Sequence, residues 1–97
     1  MKCTPKKGIF MYEVRITKNA QKGVANLSHI DKTRLNALIA SLKASGPVQP
    51  NFKNYSKLGD NKYHCHLSYH WVACWSCQEN VLTIEVYYVG SREKAPY

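Results

Sequence analysis

KYHCHLSYHWVACWSC, residues 62–77, is the stretch on which the fold turns. It contains two β-rich runs, Lys62 to Leu67 and His70 to Cys77, with a short polar break between them. Side chains alternate faces along a strand, so the loop length decides which residues share a side. A two-residue loop, Ser68-Tyr69, sets Leu67 against His70 and turns His70 away from His64 and His66. A three-residue loop, Leu67-Ser68-Tyr69, sets His66 against His70. His64, His66, His70, Val72, Cys74 and Ser76 then share one face, and Tyr63, Cys65, Trp71, Ala73, Trp75 and Cys77 share the other. The three-residue loop collects both tryptophans on a single core wall, and burial of their large apolar area favours it.

Downstream, Val81 to Val89 is a further β-rich run, joined to the previous one by a hairpin turn at Gln78-Glu79-Asn80. Upstream, residues 47–61 carry Pro47, Pro50, Asn51, Asn54 and the turn Gly59-Asp60-Asn61, the composition of an irregular connection. Before it, Leu35, Leu38, Ile39 and Leu42 form one apolar stripe at helical spacing, with Lys32, Arg34 and Lys43 off it. Ser28-His29-Ile30-Asp31 resembles a capping box at its start, and Ser45-Gly46-Pro47 ends it. A shorter helix carries Ala20, Val24 and Leu27, capped by Thr17 or Asn19, with Gly23 weakening it by roughly 1 kcal/mol relative to Ala. Tyr12, Val14 and Ile16 alternate with Met11, Glu13 and Arg15 as a first strand. Residues 1–10 are expected to be a flexible N-terminal tail ahead of a domain spanning 11–97. The order is β-α-α-β-β-β. This is an α+β fold, a mainly antiparallel sheet with two helices packed on one face and the other face open to solvent or a ligand.

Ninety-seven residues support one domain and one core, with no room for a separate cofactor domain. Hydrophobic residues at 44% and charged residues at 21% argue against wholesale disorder. No apolar run reaches the ~18 residues a membrane helix needs, and the lysines near the start are not followed by the apolar stretch of a secretory signal. The expectation is a small cytoplasmic protein with no membrane partner. Fourteen Lys and Arg against six Asp and Glu leave a net charge of +8, which suits a polyanion or an acidic partner. Residues 1–62 hold twelve of the basic groups and three acidic ones, so the charge is concentrated away from the C-terminal strands.

Cys3, Cys65, Cys74 and Cys77 are expected as reduced thiols. Cys74-x-x-Cys77 looks like half a zinc site, but residues three apart on a strand point to opposite faces, so no metal site is expected. Three histidines on the non-core face of a basic protein are harder to dismiss than one.

The element order and local motifs resemble the RelE/ParE superfamily of bacterial type II toxin–antitoxin toxins, and its RelE-like mRNA interferases most. The resemblance covers residues 11–97. It is carried by the helical region from Thr17-Lys18-Asn19-Ala20 to Gly46-Pro47, by Lys57-Leu58 with Lys62 to Leu67 and Tyr69-His70-Trp71-Val72, and by the tail. The tail, Ile84 to Glu93 with Val89-Gly90-Ser91-Arg92-Glu93 and then Ala95-Pro96-Tyr97, is its most specific piece.

The resemblance implies a ribosome-dependent endoribonuclease that cuts translated mRNA in the A site, with the message on the sheet face away from the helices. It implies neutralisation by a cognate antitoxin, in a toxin–antitoxin hetero-oligomer, and no cofactor. The family's basic pair falls on His64 and His66, its next arginine on His70, its arginine after the last strand on Arg92, and its C-terminal tyrosine on Tyr97. Three positions that are basic in the RelE pattern are thus histidines here.

Histidine, with a pKa of ~6.5, suits proton transfer near neutrality. His64 or His66 would take the 2′-hydroxyl proton and His70 would supply the leaving oxygen, roles open to exchange. Arg92 would hold the scissile phosphate. Tyr97 would stack on a base or orient the 2′-hydroxyl. Lys57, Lys62 and Lys94 are the candidate RNA-binding lysines for the backbone phosphates. The products would be a 2′,3′-cyclic phosphate and a 5′-hydroxyl. Two rivals stand beside this reading: a ParE-like gyrase inhibitor without nuclease activity, and a non-catalytic RNA-binding module.

Overall fold

In the computed structural model, residues 12–78 and 81–96 are described. The expected tail at 1–10, the turn residues Glu79 and Asn80, and Tyr97 lie outside the described residues. The elements run β1 (Glu13–Ile16), α1 (Lys18–Ala25), α2 (His29–Ser45), β2 (Ser56–Gly59), β3 (Lys62–His66), β4 (Trp71–Cys77) and β5 (Thr83–Ser91), followed by a 3-10 turn at Arg92–Lys94. They form one five-stranded sheet in the order β1-β5-β4-β3-β2. Among the described strands only the β1–β5 pair is parallel. The α+β architecture with a mainly antiparallel sheet is as the sequence predicts.

The helix starts follow the sequence signals. Thr17 caps α1, its hydroxyl accepting from the Ala20 N–H at 3.1 Å. Ser28 caps α2, accepting from the Asp31 N–H at 3.1 Å while its hydroxyl donates to the Asp31 carboxylate at 3.2 Å. Gly46 ends α2 at φ 93°, a backbone conformation that glycine adopts without steric cost. Leu35, Leu38 and Leu42 are buried along one side of α2. They join a core completed by Ala20, Tyr63, Cys65, Trp75, Ile84, Val86 and Val89. Trp75 has no exposed surface. Its ring stacks with Tyr63 and Tyr55 at 6.1 and 6.2 Å between centroids, and its indole N–H donates to the Pro47 carbonyl at 2.9 Å.

Four expectations are corrected. First, β2 lies inside the segment read as irregular. Ser-Lys-Leu-Gly has little β propensity of its own. The hairpin is closed from outside by Asn61 at φ 66°, a left-handed conformation that asparagine tolerates. Second, the β3–β4 register is two residues away from the expected one: His66 faces Val72, not His70, and the Leu67 N–H donates to the Trp71 carbonyl. The loop is Ser68-Tyr69-His70, so His70 sits in the turn. A slip of two residues keeps every side chain on its face, so the division into core wall and opposite wall survives.

Third, the opposite wall is not simply open. Val72 and Cys74 are fully buried and His64 is only 8% exposed, with cross-strand neighbours on both sides of each. Fourth, Gly23 is more than a weak helix residue. A Cβ there would lie 1.5 Å from the Val89 carbonyl oxygen, so the missing side chain is what lets α1 lie directly on the β5 backbone.

Candidate functional site

The face away from the helices is organised in rows across the strands. One row runs Ser56, His64, Cys74, Tyr88, one residue from each of β2, β3, β4 and β5. The next runs His66, Val72, Gly90. Beyond it the β3–β4 turn and the end of β5 come together, where the Arg92 N–H donates to the His70 carbonyl at 2.8 Å. A β-bulge sets the β5 half of this pattern. Cys74 pairs with Tyr88 but Trp75 pairs with Val86, which leaves Tyr87 as the extra residue and brings Tyr88 into line with His64.

Each side chain in the first row has a defined environment. His64 Nδ1 and Ser56 Oγ are 2.9 Å apart. In the Nε2–H tautomer the serine hydroxyl donates; in the Nδ1–H tautomer it accepts. Burial lowers the His64 pKa, outweighing the Ser56 hydrogen bond that raises it, and neighbouring His66 lowers it further. His64 is therefore neutral at pH 7. The His64 and His66 rings meet edge to face at 5.8 Å. Burial pushes the Cys74 thiol up to about 12, so it is a packed apolar group at physiological pH and not a thiolate.

Tyr88 folds back over Gly90, where a Cβ would lie 2.7 Å from its hydroxyl oxygen, and the hydroxyl donates to the Ser91 carbonyl at 2.7 Å. That bond ties down the chain just before Arg92.

The turn end is exposed and cationic. The Arg92 guanidinium carbon lies 4.5 Å from the centre of the Tyr69 ring, and Nη2 donates to the Tyr69 hydroxyl at 3.3 Å. The Tyr69 and His70 rings meet edge to face at 4.7 Å. Arg92 and Tyr69 are both exposed, so the guanidinium can be reached by an anion.

Of the residues singled out from sequence, His64 and His66 lie side by side, Lys62 shares their face, and His70 and Arg92 meet at the turn through a backbone bond. Lys94 is exposed in the 3-10 turn after Arg92. Lys57 does not join them. It pairs with Tyr63, a core-side residue, and so belongs to the helix side of the sheet edge. Cys74 faces the row while Cys77 belongs to the core cluster, the opposed arrangement expected from their spacing. Among the described residues no group of metal-binding side chains large enough to hold an ion stands together. Sequence reasoning missed Ser56, Tyr69 and Tyr88. Only Tyr69 carried a signal, as an aromatic residue in a turn beside a candidate site.

No protein-family model and no curated protein sequence matches the chain. Solved structures do match. The archaeal RelE–RelB complex from Pyrococcus horikoshii aligns with a TM-score of 0.69 at 17% identity, over 88% of this chain and 99% of that one. The DinJ–YafQ toxin–antitoxin complex of E. coli aligns at 0.71 and 14% identity, over 90% and 99%. The YoeB dimer of Staphylococcus aureus aligns at 0.67 and 12% identity, over 84% and 98%. The chain has the RelE-like toxin fold over nearly its whole length, as its sequence motifs imply.

Proposed function

We propose that this protein is the toxin of a type II toxin–antitoxin pair, an endoribonuclease that cuts translated mRNA. The observation that carries the reading is the placement of His64 and His66 in adjacent rows on the sheet face left clear of helices, with Arg92 beyond the second row at the β3–β4 turn. Proton transfer at RNA needs a base that is unprotonated before attack. His64, held neutral by burial and oriented by Ser56, meets that need. His64, or His66 beside it, takes the 2′-hydroxyl proton as that oxygen attacks the adjacent phosphorus. Arg92 leaves Tyr69 to hold the phosphate oxygens with its planar fork. His70, on the turn that anchors Arg92, delivers a proton to the departing 5′-oxygen. The P–O5′ bond breaks, leaving a 2′,3′-cyclic phosphate and a 5′-hydroxyl.

Lys62 and Lys94 neutralise flanking phosphates, and Tyr97 stacks on a base or orients the 2′-hydroxyl. No step uses a cofactor or a metal. The open end of the site gives a flexible strand little to grip, which fits a message presented in the ribosomal A site of the cytoplasm. The relatives crystallised with RelB or DinJ support a cognate antitoxin here, an acidic or amphipathic chain complementing the +8 charge.

Induction of wild type beside His64→Gln/His66→Gln and Arg92→Ala, with growth followed and transcripts mapped by primer extension, tests the reading. Wild type is expected to arrest growth with discrete cuts in translated mRNA, and both variants to grow with intact mRNA at equal expression. Arrest with intact mRNA and damaged DNA would transfer the assignment to the gyrase-inhibitor class.

A further inference from the structure

A cavity of about 360 Å³ opens beside the histidine rows, between the first turns of α2, the segment before β2 and the β3–β4 turn. Its walls include Arg34, Asn51, Phe52, Lys53, His66 and Tyr69. His66 and Tyr69 connect it to the site already described: His66 stands beside His64, and Tyr69 carries Arg92. The volume lies within the range of small-molecule sites, roughly 300–1,000 Å³.

The lining has three chemical parts. Phe52 and Tyr69 offer aromatic surface, Asn51 offers an amide that both donates and accepts, and Arg34 and Lys53 offer positive charge. Arg34 is preset. Its Nη1 donates to the Leu67 carbonyl at 3.1 Å and lies 3.6 Å from the buried Asp31 carboxylate, yet its side chain stays 53% exposed. Two fixed contacts hold the guanidinium at the cavity wall, and most of its five N–H groups remain for a ligand. The wall segment is itself anchored, since the His66 N–H donates to the Lys53 carbonyl at 2.8 Å. The His66 ring differs from that of His64 in having no hydrogen bond at its buried Nδ1 among the described residues.

A flat ring with a polar edge and an attached anion matches this lining, and that is a nucleotide. We propose that the cavity is a nucleobase subsite. It receives the base of one nucleotide next to the cut, with that nucleotide's phosphate on Arg34 and Lys53, and it sets the base preference of cleavage. This rests on the endoribonuclease reading and adds to it a pocket off the main row.

The test uses the whole chain, ¹⁵N-labelled, titrated with a 2′-O-methyl trinucleotide whose blocked hydroxyls prevent cutting, and with inorganic phosphate as a control. Amide resonances of Asn51, Phe52, Lys53, Ser68 and Tyr69 are expected to move with the trinucleotide. Asn51→Ala/Lys53→Gln, at two exposed positions, is expected to weaken binding about tenfold, as for losing an amide hydrogen bond and a charge-assisted contact to phosphate, with the melting temperature unchanged. In cells the same variant is expected to keep cutting with a flattened base preference at one position. Shifts confined to Gly90, Ser91 and Arg92, with an unaltered cut spectrum in the variant, overturn the subsite and leave the nuclease standing. Phosphate alone reproducing the shifts at 51–53 reduces the cavity to an anion site and also overturns it. If the trinucleotide moves nothing while wild type still cuts mRNA, the subsite falls alone; if wild type cuts nothing either, both readings fall.

Discussion

On the helix side of the sheet, Trp75 is wholly buried in a stack with Tyr63 and Tyr55 and hydrogen-bonded to Pro47. On the other side the same strands carry Ser56, His64, Cys74 and Tyr88 in one row, and two rows along, at the β3–β4 turn, an exposed arginine rests on an exposed tyrosine. Stability on the first side comes from apolar area and packing. The second side spends part of that gain on burying a histidine that must stay neutral. One sheet thus separates the groups that hold the fold from the groups assigned to chemistry. Substitutions on the two sides should then have opposite signatures.

The largest effect is expected from Trp75→Ala, a loss of about 3–5 kcal/mol typical of removing a buried aromatic ring. Denaturant unfolding reads it, and any lost cutting should track the unfolded fraction. On the other face, His64→Gln is expected to lower the cutting rate by about 10²–10⁴-fold, the usual share of a general base. Its unfolding midpoint near pH 7 should stay close to wild type; a collapse in stability there would break the division between the faces.

Arg92→Ala should follow with a loss of roughly 10–100-fold, as expected for charge-assisted bonds to a phosphate, and no change in melting temperature. Tyr88→Phe removes only the bond to the Ser91 carbonyl. It should cost about 1 kcal/mol of stability and a few-fold in rate, because the chain before Arg92 is then less firmly held.

The smallest effect concerns pH. Burial lowers the His64 pKa below the ordinary 6.5, so as pH falls the unfolded chain takes the proton first. Stability present above pH 6.5 should be lost as pH falls through the folded-state value, and His64→Gln should flatten that loss in a series of thermal melts. The acid limb of the cutting rate should likewise lie below pH 6.5.

Much of this arrangement was legible from residues 62–77, because two tryptophans at alternating positions favour one core wall and leave His64 and His66 on the other, although His70 fell in the turn. The register itself was not, since both possible pairings of an even offset bury the same side chains, and only backbone bonds such as Leu67 to Trp71 choose between them. β2 was hidden because Ser, Lys, Leu and Gly become a strand only when β3 offers its edge. Tyr88 was hidden by the bulge, which breaks simple alternation along β5 at Tyr87. The caps at Thr17, Ser28 and Gly46 were readable because their chemistry is local. The need for Gly23 was not, because the atom it accommodates belongs to Val89, far along the chain.

That distance has a consequence for synthesis. β5 lies between β1 and β4 in the sheet, and its Val89 is the surface on which α1 rests. Until residues 83–91 leave the ribosome, the first strand has no neighbour among the described strands and the first helix has no floor. At roughly 5–20 residues per second, the nascent chain waits for seconds with β1 lacking its partner strand. β5 completes the sheet of the described strands and, with the next residue, brings Arg92 to its place. On the proposed reading, a toxin made this way has no assembled site while its chain has emerged only as far as β4.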